Sequence, residues 1–174
     1  IRELREGSDR TREVLDARRL LSPNLTYTTD AKTLGSCPVI IVAVPTPIDP
    51  FKRPDLYCLH AACNSVGSVM KNGTVVVFES TVYPGVTEDI CGRALEQHSG
   101  MKLNQDFFLG YSPERVNPGD HEHTIDKIKK VVAGSTPAVT EMLGSLYGSV
   151  VTAGIHIAPN IKTAEAAKVI ENTQ

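Results

Sequence analysis

Short runs of consecutive apolar residues recur along this chain, separated by stretches in which apolar positions fall at helical spacing. Two runs stand out: VIIVAV at residues 39–44 and VVVF at Val75–Phe78. Each is short, rich in β-branched residues and unbroken by polar positions, the pattern of a strand buried on both faces. The second runs into Glu79, Ser80 and Thr81, and Pro84-Gly85 then opens a helix predicted over residues 86–98. Further strands are predicted at 25–28, 107–111, 130–133 and 150–157. Helices are predicted at 11–21, 55–70, 136–147 and from Asn160 onward, and residues 1–6 read as a helix stopped by Gly7. Thr136-Pro137 is a strong helix start, with Thr as cap and Pro in the first turn.

Strands that alternate with helices, joined by crossovers long enough to hold them, predict an α/β fold. The expected architecture is a Rossmann-like, doubly wound, mostly parallel sheet. It is expected to be partial: no G-x-G-x-x-G follows a first strand, and no acidic residue ends a second one. The chain begins without Met inside a helical pattern and stops in another at Gln174, which predicts a fragment.

Composition changes this picture little. The 174 residues carry 22% charged side chains and a net charge of -2, the profile of one ordinary globular domain. Lys and Arg are dispersed, so neither a nucleic-acid nor a membrane surface is expected, and no run approaches a membrane span. Cys37, Cys58, Cys63 and Cys91 lack zinc spacing and the density of a disulfide scaffold, and read as reduced thiols of a cytoplasmic protein. His121-Glu122-His123 lacks a third placed ligand, so no metal site is expected.

The candidate chemistry sits where strands end. In an open α/β sheet, ligands bind outside the strands' carboxyl ends. Pro45-Thr46-Pro47 cannot continue a sheet and leaves the Thr46 hydroxyl at the mouth of the first run. Ser80-Thr81 ends the second, although such residues also cap helices. Glu114-Arg115 follows the third; Glu114 is either an aimed acid or base or a loop carboxylate paired with Arg115. Lys168, amid alanines on the last helix, either pairs with Glu165 three residues earlier or reaches into the crevice. Asn172 lies one turn beyond it.

Four segments in this order and spacing carry a resemblance: VAVPTPID (42–49), ESTVYPGVTE (79–88), GYSPERVNPGD (110–120) and AEAAKVIENTQ (164–174). They closely resemble the UDP-sugar 6-dehydrogenases, and most of all the bacterial UDP-N-acetylhexosamine dehydrogenases of capsule and O-antigen synthesis. The resemblance implies a partial NAD-binding domain over residues 1–157, lacking its first two strands, and the start of a long central dimerisation helix over 158–174. A UDP-binding C-terminal domain would be absent.

It also implies an activity: oxidation of the C6 hydroxyl of a UDP-N-acetylhexosamine to the carboxylate by two NAD molecules in succession, in a homodimer. By motif, Val44, Pro45, Thr46, Ser80 and Thr81 would contact NAD, with Thr81 beside the nicotinamide. Glu114 would act in the hydrolytic half-reaction through a water, and Arg115 and Val116 would touch the sugar nucleotide. Lys168 and Asn172 would hold oxyanions and order water at the reacting carbon. The family's nucleophilic thiol falls beyond Gln174, so none of the four cysteines takes that role. Pro118 stands where the UDP-glucose branch has a second Glu. The alternatives are a UDP-glucose or related sugar- or hydroxy-acid dehydrogenase, and a non-catalytic nucleotide-binding or oligomerisation module.

Overall fold

The computed structural model describes residues 1–11, 14, 16–113 and 127–172. Its centre is one five-stranded sheet in the order β1 (Val39–Val42), β2 (Val75–Phe78), β3 (Phe108–Tyr111), β4 (Lys130–Gly134) and β5 (Ile155–Ile157). The first three are parallel, and their last residues, Val42, Phe78 and Tyr111, stand level in register. β4 runs antiparallel to β3 and β5 parallel to β4. The sheet is therefore mostly parallel, as expected, with one reversal. That reversal puts the start of β4 at the rim where β1 to β3 end.

The helices are α1 (Arg2–Arg5), α2 (Ala17–Leu20), α3 (Tyr57–Gly67), α4 (Arg93–Ser99), α5 (Pro137–Gly148) and α6 (Ile161–Asn172). A 3-10 helix covers Ala31–Ser36, and a π-helical segment, Val86–Gly92, leads into α4. Side chains alternate across each strand, so the two faces build separate cores. On one face Val76, Phe78, Leu109 and Tyr111 meet Leu59 and Cys63 of α3, Leu95 of α4, and Ile161 and Ala164 of α6. On the other, Val75, Val77 and Val132 meet Val139, Leu143 and Tyr147 of α5. Helices on both faces of a mostly parallel sheet are the doubly wound arrangement that the sequence predicts.

Several local signals act as read. Gly7 takes φ +77 after α1, and the Thr136 hydroxyl accepts from Val139 N at 3.3 Å to cap α5. Other expectations are revised. The first apolar run is not buried on both faces: β1 lies at the edge of the sheet, ends at Val42, and leaves Ile41 48% exposed while Ile40 and Val42 pack into the core. Residues 25–28 form no strand, because no described strand lies beside them to complete a ladder. The helix expected over 11–21 is described only at α2. Residues 150–154 turn through Gly154, at φ +91, before β5 begins. The helix after β2 starts as a π-helix, a form found mostly as short segments.

Close approach of α5 to β4 depends on Gly134. A Cβ there would lie 2.6 Å from the Thr140 backbone nitrogen and 2.9 Å from the Val139 carbonyl carbon. Backbone cannot move aside as a side-chain tip can. We expect Gly134→Ala to destabilise the fold by about 1–3 kcal/mol, read as a lowered denaturant midpoint; an unchanged midpoint would show that α5 is free to shift.

Candidate functional site

The site is a rim built from strand ends. The prolines flanking Thr46 turn the chain off β1, and the two loops that leave β1 and β2 are then bolted together. Thr46 Oγ1 donates to the Thr81 carbonyl at 2.7 Å, and Ser80 Oγ donates to the Val44 carbonyl at 2.6 Å. Neither Ser80 nor Thr81 caps the following helix: Gly85 holds the capping position at φ +99, a left-handed conformation that suits glycine. The structure thus brings Val44, Pro45, Thr46, Ser80 and Thr81 together, with Ser80 buried and Thr46 and Thr81 half-buried. The loop of residues 48–54 is folded locally: Asp49 Oδ1 accepts from Phe51 N and Arg53 N, both at 2.8 Å. The bond from the Arg53 backbone, together with one from Arg53 Nε to Oδ2 at 2.8 Å, holds the Asp49 carboxyl below its ordinary range.

The third contribution comes from α6. β5 runs toward the opposite rim, so α6 climbs back toward the strand ends, and Lys168 stands about 10 Å up its axis from Ile161. Ile161, Ala164 and Glu165 are all fully or almost fully buried and lie at i, i+3 and i+4. Lys168, at i+7, continues that inward stripe. Its side chain is only 11% exposed, far less than a solvated surface lysine would be.

Lys168 does not pair with Glu165. Its Nζ lies 3.7 Å from Glu171 Oε2, while Glu165 reaches the other way. Glu165 Oε2 accepts from Gly85 N at 2.6 Å and Oε1 from Thr87 N at 2.9 Å. This carboxylate, with no exposed surface, closes the far end of the loop whose near end holds Ser80 and Thr81. Tyr111, at the end of β3, lies in the same region; burial first, and then the Glu165 charge, push its hydroxyl above the ordinary phenol range.

A second polar cluster on the α5 face of the rim escaped the sequence reading. Glu79 Oε1 accepts from the Tyr147 hydroxyl at 2.6 Å and faces Lys130 Nζ at 3.4 Å. The Lys130 ammonium also stands 5.1 Å from the centre of the Tyr147 ring. Only the carboxylate directly after VVVF hinted at it, since the three members come from β4, α5 and the end of β2.

Of the other expected site residues, Glu114, Arg115 and Val116 lie outside the described residues, as does His121-Glu122-His123. Asn172 ends α6. Among the described residues no group of three metal-ligating side chains occurs, and no helix is long and apolar enough to cross a membrane. The four cysteines are unpaired thiols, with Cys63 and Cys91 buried.

Comparison with known proteins gives the family and the fold. The model of the UDP-glucose/GDP-mannose dehydrogenase family, NAD binding domain, matches residues 9–151. The UDP-N-acetyl-D-glucosamine 6-dehydrogenase of Pseudomonas aeruginosa is 55% identical over 174 residues, covering 100% of this chain and 41% of that protein. Protein CapL of Staphylococcus aureus is 53% identical over the same shares. The solved UDP-D-ManNAc dehydrogenase of Pyrococcus horikoshii matches with a TM-score of 0.89 at 33% identity, over 99% of this chain and 41% of that one. The chain thus spans about two-fifths of the length of these relatives. The family match over most of the chain and the shared sheet lead to one conclusion: this chain belongs to the UDP-glucose/GDP-mannose dehydrogenase family and carries its NAD-binding domain.

Proposed function

We propose that this chain is the cofactor-binding part of a cytoplasmic, NAD-dependent 6-dehydrogenase that oxidises the C6 hydroxyl of a UDP-N-acetylhexosamine to the uronic acid, for surface polysaccharide synthesis. The observation that carries the reading is the loop of residues 80–85. One end is tied to the β1 loop by Thr46 and Ser80, and the other to α6 by Glu165, three residues before Lys168. One short segment therefore fixes the strand-end hydroxyls relative to the lysine. The substrate class rests on the whole-chain identity to the Pseudomonas aeruginosa enzyme.

The rim suits a nicotinamide: two loops are locked together at adjacent parallel strand ends, and their hydroxyl and carbonyl groups stand where such sheets take ligands. Val44, Pro45, Thr46, Ser80 and Thr81 would hold that half of NAD. When bound, NAD supplies the hydride acceptor. Thr81 would orient the reacting face. Lys168, largely shielded from water, would stabilise negative charge on the C6 oxygen, where a fixed cation acts most strongly. Asn172, one turn later, would share that oxygen or its water. Glu114 would hold the hydrolytic water, and Arg115 and Val116 would contact the sugar nucleotide. We assign residues 1–157 to the NAD-binding domain and 158–174 to the root of a central helix. Val169 and Ile170, exposed on α6, suit that helix to a homodimer.

The test is product stoichiometry in the full-length enzyme. UDP-N-acetylglucosamine should yield about two NADH per uronate formed, since alcohol to carboxylate is a four-electron oxidation. UDP-glucose should be used far more slowly. Equal use of UDP-glucose would move the enzyme to the other branch, and no NADH with either sugar would refute the reading.

A further inference from the structure

The geometry points to Glu165 as a positioning residue that sets where Lys168 stands relative to the Thr81 loop, an inference that rests on the proposed dehydrogenase reading. Glu165 has no exposed surface, yet it does not pair with the lysine on its own helix. Both its oxygens accept backbone hydrogens eighty and seventy-eight residues away in sequence, from Gly85 and Thr87. Those amides open the π-helical segment, which has no side-chain cap from its own neighbourhood. A buried carboxylate is tolerable there because two N–H donors and the segment's positive end compensate its charge.

The consequence is mechanical. Both ends of the loop of residues 80–85 are fixed. Ser80 and Thr81 are held to the β1 loop, and Gly85 is held to α6 one turn before Lys168. A second tie, Lys162 Nζ to Asp89 Oδ2 at 2.9 Å, joins the same two elements but is about half exposed and correspondingly weak. Glu165 is therefore the strong constraint on the spacing between Thr81 and the lysine. An amide in its place would keep one acceptor and turn an NH2 group against a backbone N–H. Aspartate would keep the charge but fall short of both donors. Displacements of about 1 Å cost on the order of 100-fold in rate where reacting groups must be aligned.

The experiment is a double-mutant cycle in the full-length enzyme, with kcat normalised to folded, NAD-binding protein. Glu165→Gln should lower kcat about 10–100-fold, with KM for NAD little changed. Placed on Lys168→Ala, it should cost less than about twofold more, because a residue that acts through the lysine has nothing left to position. Equal fold-losses in both backgrounds, or an unchanged kcat per folded molecule, would overturn the proposal. If Glu165→Gln does not fold, Glu165→Asp carries the same cycle; failure of both to fold would make Glu165 a structural cap only, and likewise overturn it. Wild-type activity in Lys168→Ala alone would instead sink the dehydrogenase reading of the lysine, so the two failures are distinct.

Discussion

Lys168→Ala in the full-length enzyme lowers kcat about 100- to 1000-fold while NAD affinity stays nearly constant; this is the largest catalytic effect we expect. The size follows from what a single preorganised donor is worth to a developing oxyanion. The lysine lies on the inward stripe of α6 and keeps only 11% of its side chain exposed, so its charge acts in a poorly solvated place. The asymmetry between kcat and affinity follows from position: the proposed cofactor contacts lie in the β1 and β2 loops, which are tied to each other by Thr46 and Ser80 and to which α6 adds no NAD-binding group. An interaction made chiefly in the transition state is lost from kcat and kcat/KM together. Single-turnover hydride transfer, with NAD binding measured separately by fluorescence, checks it. A variant that binds NAD poorly but reacts normally would contradict the assignment.

The largest expected effect on stability lies on the opposite face of the rim. Glu79→Ala should destabilise the fold by about 3–5 kcal/mol, because removing one partner strands the other as an uncompensated buried charge. That partner is Lys130, whose side chain is 3% exposed and whose ammonium makes no well-aligned hydrogen bond of its own. Tyr147→Phe removes the hydroxyl that donates to the carboxylate but leaves Glu79 facing Lys130, and should cost less, about 1.5–3 kcal/mol. Replacing Glu79 and Lys130 together by apolar residues of similar volume should recover much of the loss. Denaturant titration of the three variants gives the order directly. A Glu79→Ala protein as stable as the parent would mean that water reaches Lys130.

Much of this fold is legible in the sequence, for local reasons. VVVF is buried at every position, as a β-branched run without polar breaks implies, whereas the equally apolar VIIV is covered on one face only and leaves Ile41 exposed. Thr136-Pro137 and Gly7 punctuate the chain through a capping side chain and backbone freedom. The rim was legible too, since Pro45, Pro47 and the polar residues after VVVF can only leave the sheet. What local reading misses is choice among distant partners. Glu165 looks like a helix-surface mate for Lys168 at i+3, and nothing nearby shows that two unsatisfied amides eighty residues earlier claim it instead. Lys130 looks like a charged strand end until Glu79 and Tyr147 are brought over it. The π-helical start after Gly85 and the reversal of β4 are set by packing in the same way. A helix period or an apolar run carries no trace of either.

Catalysis by this rim depends most directly on where Lys168 points when both ligands are present. A crystal structure of the full-length enzyme with NAD and UDP-N-acetylglucosamine measures that. It should show the nicotinamide against Thr46 and Thr81, Glu165 still on the Gly85 and Thr87 amides, and Lys168 Nζ within hydrogen-bonding distance of the sugar's C6 oxygen. A nicotinamide seated away from the 80–85 loop, or a Lys168 still turned to Glu171 with the C6 oxygen out of reach, would contradict it.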